Sequence, residues 1–254
     1  MSKIIAVAVP KGGVGKTTTA VNLATSLAVA ERRTLLVDVD PMGTCSDALG
    51  IANNSINGGI FEVFSFTKSL DQVIHHTEIM NLDFIPSKLY SYINEERLTR
   101  LAENKLILRN VLRDQIYNYD YIIIDCPPYL RGLTTCALLA ADSVILPIKA
   151  ESFSLGAVTK LLEHIEWIKK QGNSLLKVEG ILLTMFEART KVSMMAEKQL
   201  YENYQPLVFK TIIPKNIKIT EATYKGKPVI FYDALAKGAI AYLKLAHELI
   251  QREI

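Results

Sequence analysis

The stretch that most constrains this chain lies at its start. KIIAVAVP, Lys3 to Pro10, is an apolar, β-rich run that stops at a proline and the glycines Gly12, Gly13 and Gly15. TTTAVNLATSLAVA follows with apolar residues at helical spacing, placing Ala20, Leu23, Ala24, Leu27 and Ala28 on one face. A buried strand feeding a glycine-rich turn and then a helix is the opening half of a parallel crossover unit. The alternation continues along the chain. RTLLVDVD, LDFIPS, YDYIIIDCPP, DSVILPIKA, KVEGILLTMF and LVFKTIIP read as strands. Residues 94–119 read as one long amphipathic helix, and TTCALLAA, SLGAVTKLLEHIEWIKKQ, SMMAEKQLYENY and DALAKGAIAYLKLAHELIQRE as further helices. Leu161, Leu162, Ile165 and Ile168 share one side of the third of these. The strands are apolar throughout rather than alternating, as strands buried on both faces are. The expected fold is therefore α/β: a mostly parallel sheet between two helical layers. No repeat or linker divides it, so residues 1–254 are expected to form a single domain.

The bulk properties exclude several classes. The apolar runs are strand-sized, far short of the ~20 residues of a membrane span. No signal-peptide pattern opens the chain. Cys45, Cys126 and Cys136 lack metal-ligand spacing and are expected to be small buried residues in a reducing cytoplasm. Net charge is only +3, but it is uneven. Between Glu187 and Lys227, eight basic residues face four acidic ones, giving +4 and leaving about −1 for the rest.

The polar residues gather where parallel strands end, at Pro10–Thr19, Asp40–Thr44, Asp125–Pro128 and Pro214–Asn216. Ligands of such sheets bind beyond the carboxyl ends of the strands. In KGGVGKTT the three glycines let the backbone N–H groups curl into an anion nest at a helix N-terminus. Lys16 is placed to reach the β and γ phosphates of a nucleotide, and Thr17 to offer its hydroxyl to Mg²⁺. The general phosphate-loop pattern has a glycine at position 10, where this chain has Pro10 followed by a second lysine, Lys11. Proline there removes one donor from a nest built by later residues, so the loop is intact and Lys11 is the addition. Asp40 follows the second strand and can orient or deprotonate an attacking water. Asp38, two residues earlier, either assists at the metal or is a capped or solvated strand-end acid. Asp125 closes IIID and is placed to hold Mg²⁺.

With these residues in view, KGGVGKTT resembles the deviant Walker A motif of the ParA/MinD ATPases, a branch of the P-loop NTPase fold. LLVDVDPMG resembles that family's Walker A′ segment, YIIIDCPP its Walker B, and TIIPKNIKITEATYKGKP the C-terminal pattern of its Soj-type members. The matches run in order from residue 3 to about 250. The resemblance implies ATP and Mg²⁺ as cofactors, with the loop Lys11, Gly12, Gly13, Val14, Gly15, Lys16, Thr17 and Thr18 around the phosphates. It implies catalytic roles for Lys11, Lys16 and Asp40. It further implies an ATP-dependent homodimer in which Lys11 crosses to the partner's triphosphate. One departure stands out: Asp40-Pro41-Met42-Gly43-Thr44 replaces the usual D-P-Q-G-N, trading two amides for a thioether and a hydroxyl.

The resemblance also implies that Phe186, Pro214 and Asn216 border the adenine, Pro214 on its face and Asn216 at its edge; core packing competes for Phe186. It favours Arg189 and Lys218, with Lys215 and Arg252, as contacts to non-specific double-stranded DNA, against a merely solvated lysine-rich face. A ParB-like partner and a nucleoid-associated, cytoplasmic location follow from the same likeness. A MinD-like membrane switch would need a free basic amphipathic C-terminal helix. Here Ile240, Leu243, Leu245, Ala246 and Leu249 suit packing, and Glu248 and Glu253 sit near the end. An iron–sulfur carrier would need paired cysteines, which the spacing does not supply.

Overall fold

The computed structural model describes residues 2–252 apart from 88, 90, 116, 153 and 154. Among the described residues seven strands form one sheet: β1 (Lys3–Val7), β2 (Thr34–Asp38), β3 (His75–His76), β4 (Leu82–Ile85), β5 (Tyr121–Asp125), β6 (Ser143–Lys149) and β7 (Lys177–Thr184). Their order is β3-β4-β2-β5-β1-β6-β7, and every neighbouring pair is parallel except β3 with β4. The helices are α1 (Lys16–Val29), α2 (Thr44–Ala48), α3 (Ile60–Phe64), α4 (Tyr92–Leu101), α5 (Ile107–Gln115), α6 (Leu133–Ala140), α7 (Leu155–Lys170), α8 (Lys191–Tyr204), α9 (Ile217–Tyr224), α10 (Val229–Tyr232) and α11 (Lys237–Gln251).

Successive strand residues point to opposite faces, and each face has its own core. Ile5, Val7, Leu36, Ile123 and Leu182 pack under α1 and α11. Ile4, Ala6, Val37, Ile124 and Leu183 pack under α5–α8. The architecture is the expected α/β sandwich of three layers. The same alternation carries Asp38, after Leu36, and Asp125, after Ile123, onto the α1 face. The two acids are paired neighbours across β2 and β5.

Four local expectations change. Residues 94–119 form two helices rather than one. The chain turns at 102–106, where Asn104 N–H donates to Leu101 O and Asn104 O accepts from Ile107 N–H, so one polar residue closes α4 and opens α5. LVFKTIIP is not a full strand. It forms an isolated bridge to β7 at Ile181–Val208 and another just past its end at Phe186–Pro214, with Phe209 N–H donating to Ile181 O at 3.0 Å and Ile213 N–H to Leu183 O at 2.9 Å. Between them Lys210 and Thr211 donate their N–H groups to the Glu248 carboxylate of α11, at 2.9 and 2.8 Å. The edge strand β3, two residues long, was not foreseen, nor was α9. Lastly, α11 buries Ala239, Tyr242, Leu245, Ala246 and Leu249, whereas Ile240 is turned out and 40% exposed; Glu253 lies outside the described residues. All three cysteines are buried and free. Among the described residues no helix is long and apolar enough to cross a membrane.

Candidate functional site

The loop between β1 and α1 is built as a nest. Gly13 and Gly15 take φ values of 67° and 90°, a left-handed region that side chains avoid, and α1 begins at Lys16 immediately after. Thr184, at the end of β7, fixes the loop by donating its hydroxyl to Val14 O at 2.8 Å. Lys16 is buried, and its Nζ donates to Lys11 O at 2.8 Å. Burial lowers its pKa, while the nearby Asp125 and Asp40 carboxylates work against that shift. The Lys11 side chain itself is exposed at the mouth of the loop.

The acids differ in their surroundings. Asp38 is fully buried and spends both oxygens on backbone: Oδ1 accepts from Asp40 N–H at 2.9 Å and Oδ2 from Cys45 N–H at 3.2 Å. It is buried rather than solvated and shapes the 38–45 turn that carries Asp40, and one of its oxygens lies within 4.8 Å of ligand atoms of Cys45 and Asp125. Burial, then the Asp125 charge, hold its carboxyl well above the usual range. Asp125 is equally buried. Burial raises its pKa to about 7 even though Thr17, Cys45 and Lys16 stabilise its charge. The Cys45 thiol donates to its Oδ2 at 3.4 Å, whereas its Oδ1 is buried with no hydrogen-bond partner among the described residues. Asp40 is partly exposed; burial raises its pKa against the Met42 N–H bond and the Lys16 charge.

An orphaned carboxylate oxygen beside a threonine hydroxyl suits a hard divalent cation, which takes oxygen ligands. Thr17 and Asp125 therefore fit Mg²⁺. Thr44, where the usual motif has an amide, lies with its hydroxyl 3.4 Å from that of Thr17. Met42, the other departure, is 71% exposed.

A cavity of about 850 Å³ opens beside the loop, running from Gly15 and Thr18 past Met185 to Pro214, Asn216 and Ile219. Pro214 and Asn216 thus line it, and Phe186 does not. The backbone at Met185 takes φ 51°, which turns Met185 into the cavity and Phe186 to the other side of the Pro214 wall. No periodicity reveals such a turn, so Met185 escaped sequence reading. Cys45 did too, because its role depends on α2 starting one residue earlier. Asn216 caps α9 by accepting Lys218 N–H at 3.1 Å.

The four basic candidates are not one cluster. Lys215 pairs with Glu187 at 2.7 Å beyond the end of β7, and Arg189, two residues after Glu187, is exposed. Lys218, on α9, pairs with Glu221 at 2.8 Å. Arg252 is committed to the fold: it donates to Glu179 O at 2.7 Å, pairs with Glu248 at 2.8 Å and stacks on Phe209.

Comparison with known proteins adds to this geometry. A family model described as an AAA domain matches residues 2–178. The chromosome partitioning protein ParA of Myxococcus xanthus is 42% identical over 253 residues, covering 100% of this chain and 89% of that protein. The sporulation initiation inhibitor protein Soj of Bacillus subtilis is 40% identical over 248 residues, covering 98% of each. Among solved structures, the septum site-determining protein MinD of Pyrococcus horikoshii, complexed with Mg-ADP, superposes with a TM-score of 0.82 at 26% identity, covering 100% of this chain and 98% of that one.

Proposed function

The chain belongs to the ParA/MinD family of AAA-domain P-loop NTPases, in its Soj-type ParA branch, and from that membership we propose that it is an ATP-hydrolysing switch for DNA partition. Its cofactors are ATP and Mg²⁺. The names of the relatives favour the chromosome as cargo. The observation that carries the mechanism is the placement of Lys16, buried, held on Lys11 O, and within the fields of both Asp40 and Asp125. The nest binds the triphosphate, and Lys16 meets charge developing on the β and γ phosphates. Thr17 and Asp125 would hold Mg²⁺, which when bound would supply neutralising charge at the phosphates. Asp40 orients the attacking water and receives its proton. Pro214, Asn216 and Met185 receive the base.

Lys11 extends the cycle to a second copy. Its exposed side chain reaches the partner's triphosphate, so two ATP molecules become part of the contact. Charge-assisted bonds in such a seam are worth about 1.5–3 kcal/mol each. ADP lacks the γ phosphate, so hydrolysis loosens the dimer. The ATP dimer binds duplex DNA without reading sequence, using Arg189, Lys215 and Lys218 from each copy, which gives it nucleoid association. Arg252, spent on the fold, contributes less. A ParB-like partner stimulates turnover and release. A membrane-switch reading has less support, because α11 is docked through its buried face.

The test is DNA retention and ATP turnover. With a non-hydrolysable ATP analogue the protein should retain duplex DNA, lose it steeply with salt, and release it in ADP. Turnover should be slow alone and rise with DNA plus the ParB-like partner. Equal retention in ATP analogue and ADP would reject the reading.

A further inference from the structure

Phe186, turned away from the nucleotide cavity, helps to floor a second one. This groove of about 960 Å³ runs along the outer side of α11. Its floor is apolar: Phe186, Ile212, Pro214, Ile240 and Leu243. Its rim carries Lys210, Lys237, Lys244 and His247. Pro214 is common to both cavities, so one residue's thickness separates the groove from the base site. The α11 contribution is a second helical stripe. Lys237, Ile240, Lys244, His247 and Gln251 recur at steps of three and four, on a side distinct from the buried Ala239, Tyr242, Leu245, Ala246 and Leu249.

The charge in the groove is one-sided. None of the three lysines has a carboxylate partner among the described residues. The one acid there, Glu248, is already saturated by the N–H groups of Lys210 and Thr211 and by Arg252. Three uncompensated cations thus border an apolar trough in which Ile240 is 40% exposed. We infer that this groove docks an acidic amphipathic helix of a partner protein, its apolar side chains on Phe186, Ile240 and Leu243 and its carboxylates on Lys210, Lys237 and Lys244. Helix-in-groove recognition uses such an apolar floor with anchors at i, i+3, i+4 and i+7. Opposite rim charges supply attraction and register. A phosphate backbone would use the lysines and leave the floor unoccupied, which favours the peptide over nucleic acid.

The test uses a fluorescein-labelled designed helical peptide, with Leu at i, i+3, i+4 and i+7 and Glu on the flanks, and the full-length protein in ADP. Fluorescence anisotropy should show saturable binding that weakens with salt. Ile240→Glu, at a half-exposed site, should weaken it about tenfold or more, as loss of a central anchor does. Lys237→Glu with Lys244→Glu should do the same, with unchanged melting temperature and ADP affinity in both variants. Binding no tighter than that of a scrambled peptide of the same composition overturns the inference. So does sensitivity to the lysines but not to Ile240, together with displacement by duplex DNA, which would give the rim to nucleic acid.

Discussion

Asp40 and Asp125 are chemically alike, and their surroundings separate them. Asp40 is reachable from solvent and its carboxylate accepts only Met42 N–H among the described residues, so it is the acid able to meet a water. Asp40→Ala should lower ATP turnover about 10²–10⁴-fold, the span of a lost general base, while ATP affinity stays within a few-fold; steady-state turnover and nucleotide titration check it. Asp125 carries a pH signature. Its carboxyl ionises near 3.8 in an unfolded chain and near 7 when buried in the fold without a cation, and Asp38 is shifted in the same direction. The folded form therefore binds more protons across that window, and stability without Mg²⁺ should fall as pH rises from about 4 to 7. Melting temperature in EDTA should drop between pH 5 and 7, and the drop should shrink in Asp125→Asn; a flat profile would contradict the assignment. That the loop, Asp40 and Asp125 would gather at one end of the sheet was legible in sequence, because glycine-rich turns and strand-end acids stand out by residue type and spacing. Which of Met185 and Phe186 would enter the cavity was not legible, because one left-handed residue decides it.

Between elements, the nucleotide cavity depends on close backbone packing. Gly50, just after α2, lies against Gly226, just after α9; a Cβ on Gly50 would stand 2.5 Å from Gly226 O, and its φ is 70°. Both strain and overlap oppose a side chain, so Gly50→Ala should cost about 1–3 kcal/mol and weaken ADP binding, since both glycines line the cavity; denaturant titration with and without ADP separates the two effects. Leu249, fully buried on α11, tests docking of that helix: Leu249→Ala should cost about 2–5 kcal/mol. Strands buried on both faces were readable as unbroken apolar runs. The break within residues 94–119 was not, because Asn104 is tolerated in a helix pattern and ends it only through its backbone bonds. Nor was the interruption of 208–214 as a strand: the Phe209 and Ile213 N–H groups reach β7, but Glu248, distant in sequence, takes the Thr211 N–H between them.

On the scale of the whole molecule, the uneven charge seen in sequence becomes several surfaces. Lys198, Lys215 and Lys218 are paired with neighbouring glutamates, whereas Lys210 faces the α11 groove. DNA retention by the ATP dimer should accordingly weaken steeply between 50 and 200 mM salt, with a log–log slope near −0.9 for each phosphate neutralised. Lys218→Ala should reduce that slope without altering ATP binding, whereas Arg252→Ala should chiefly lower stability. The central claim is that nucleotide state sets association state through Lys11. Sedimentation velocity of Asp40→Ala, which is expected to hold ATP unhydrolysed, measures it directly. With ATP and Mg²⁺ the protein should sediment as a dimer, and as a monomer with ADP or when Lys11→Ala is added. A monomer in ATP at high concentration, or a dimer indifferent to the loss of Lys11, would contradict it.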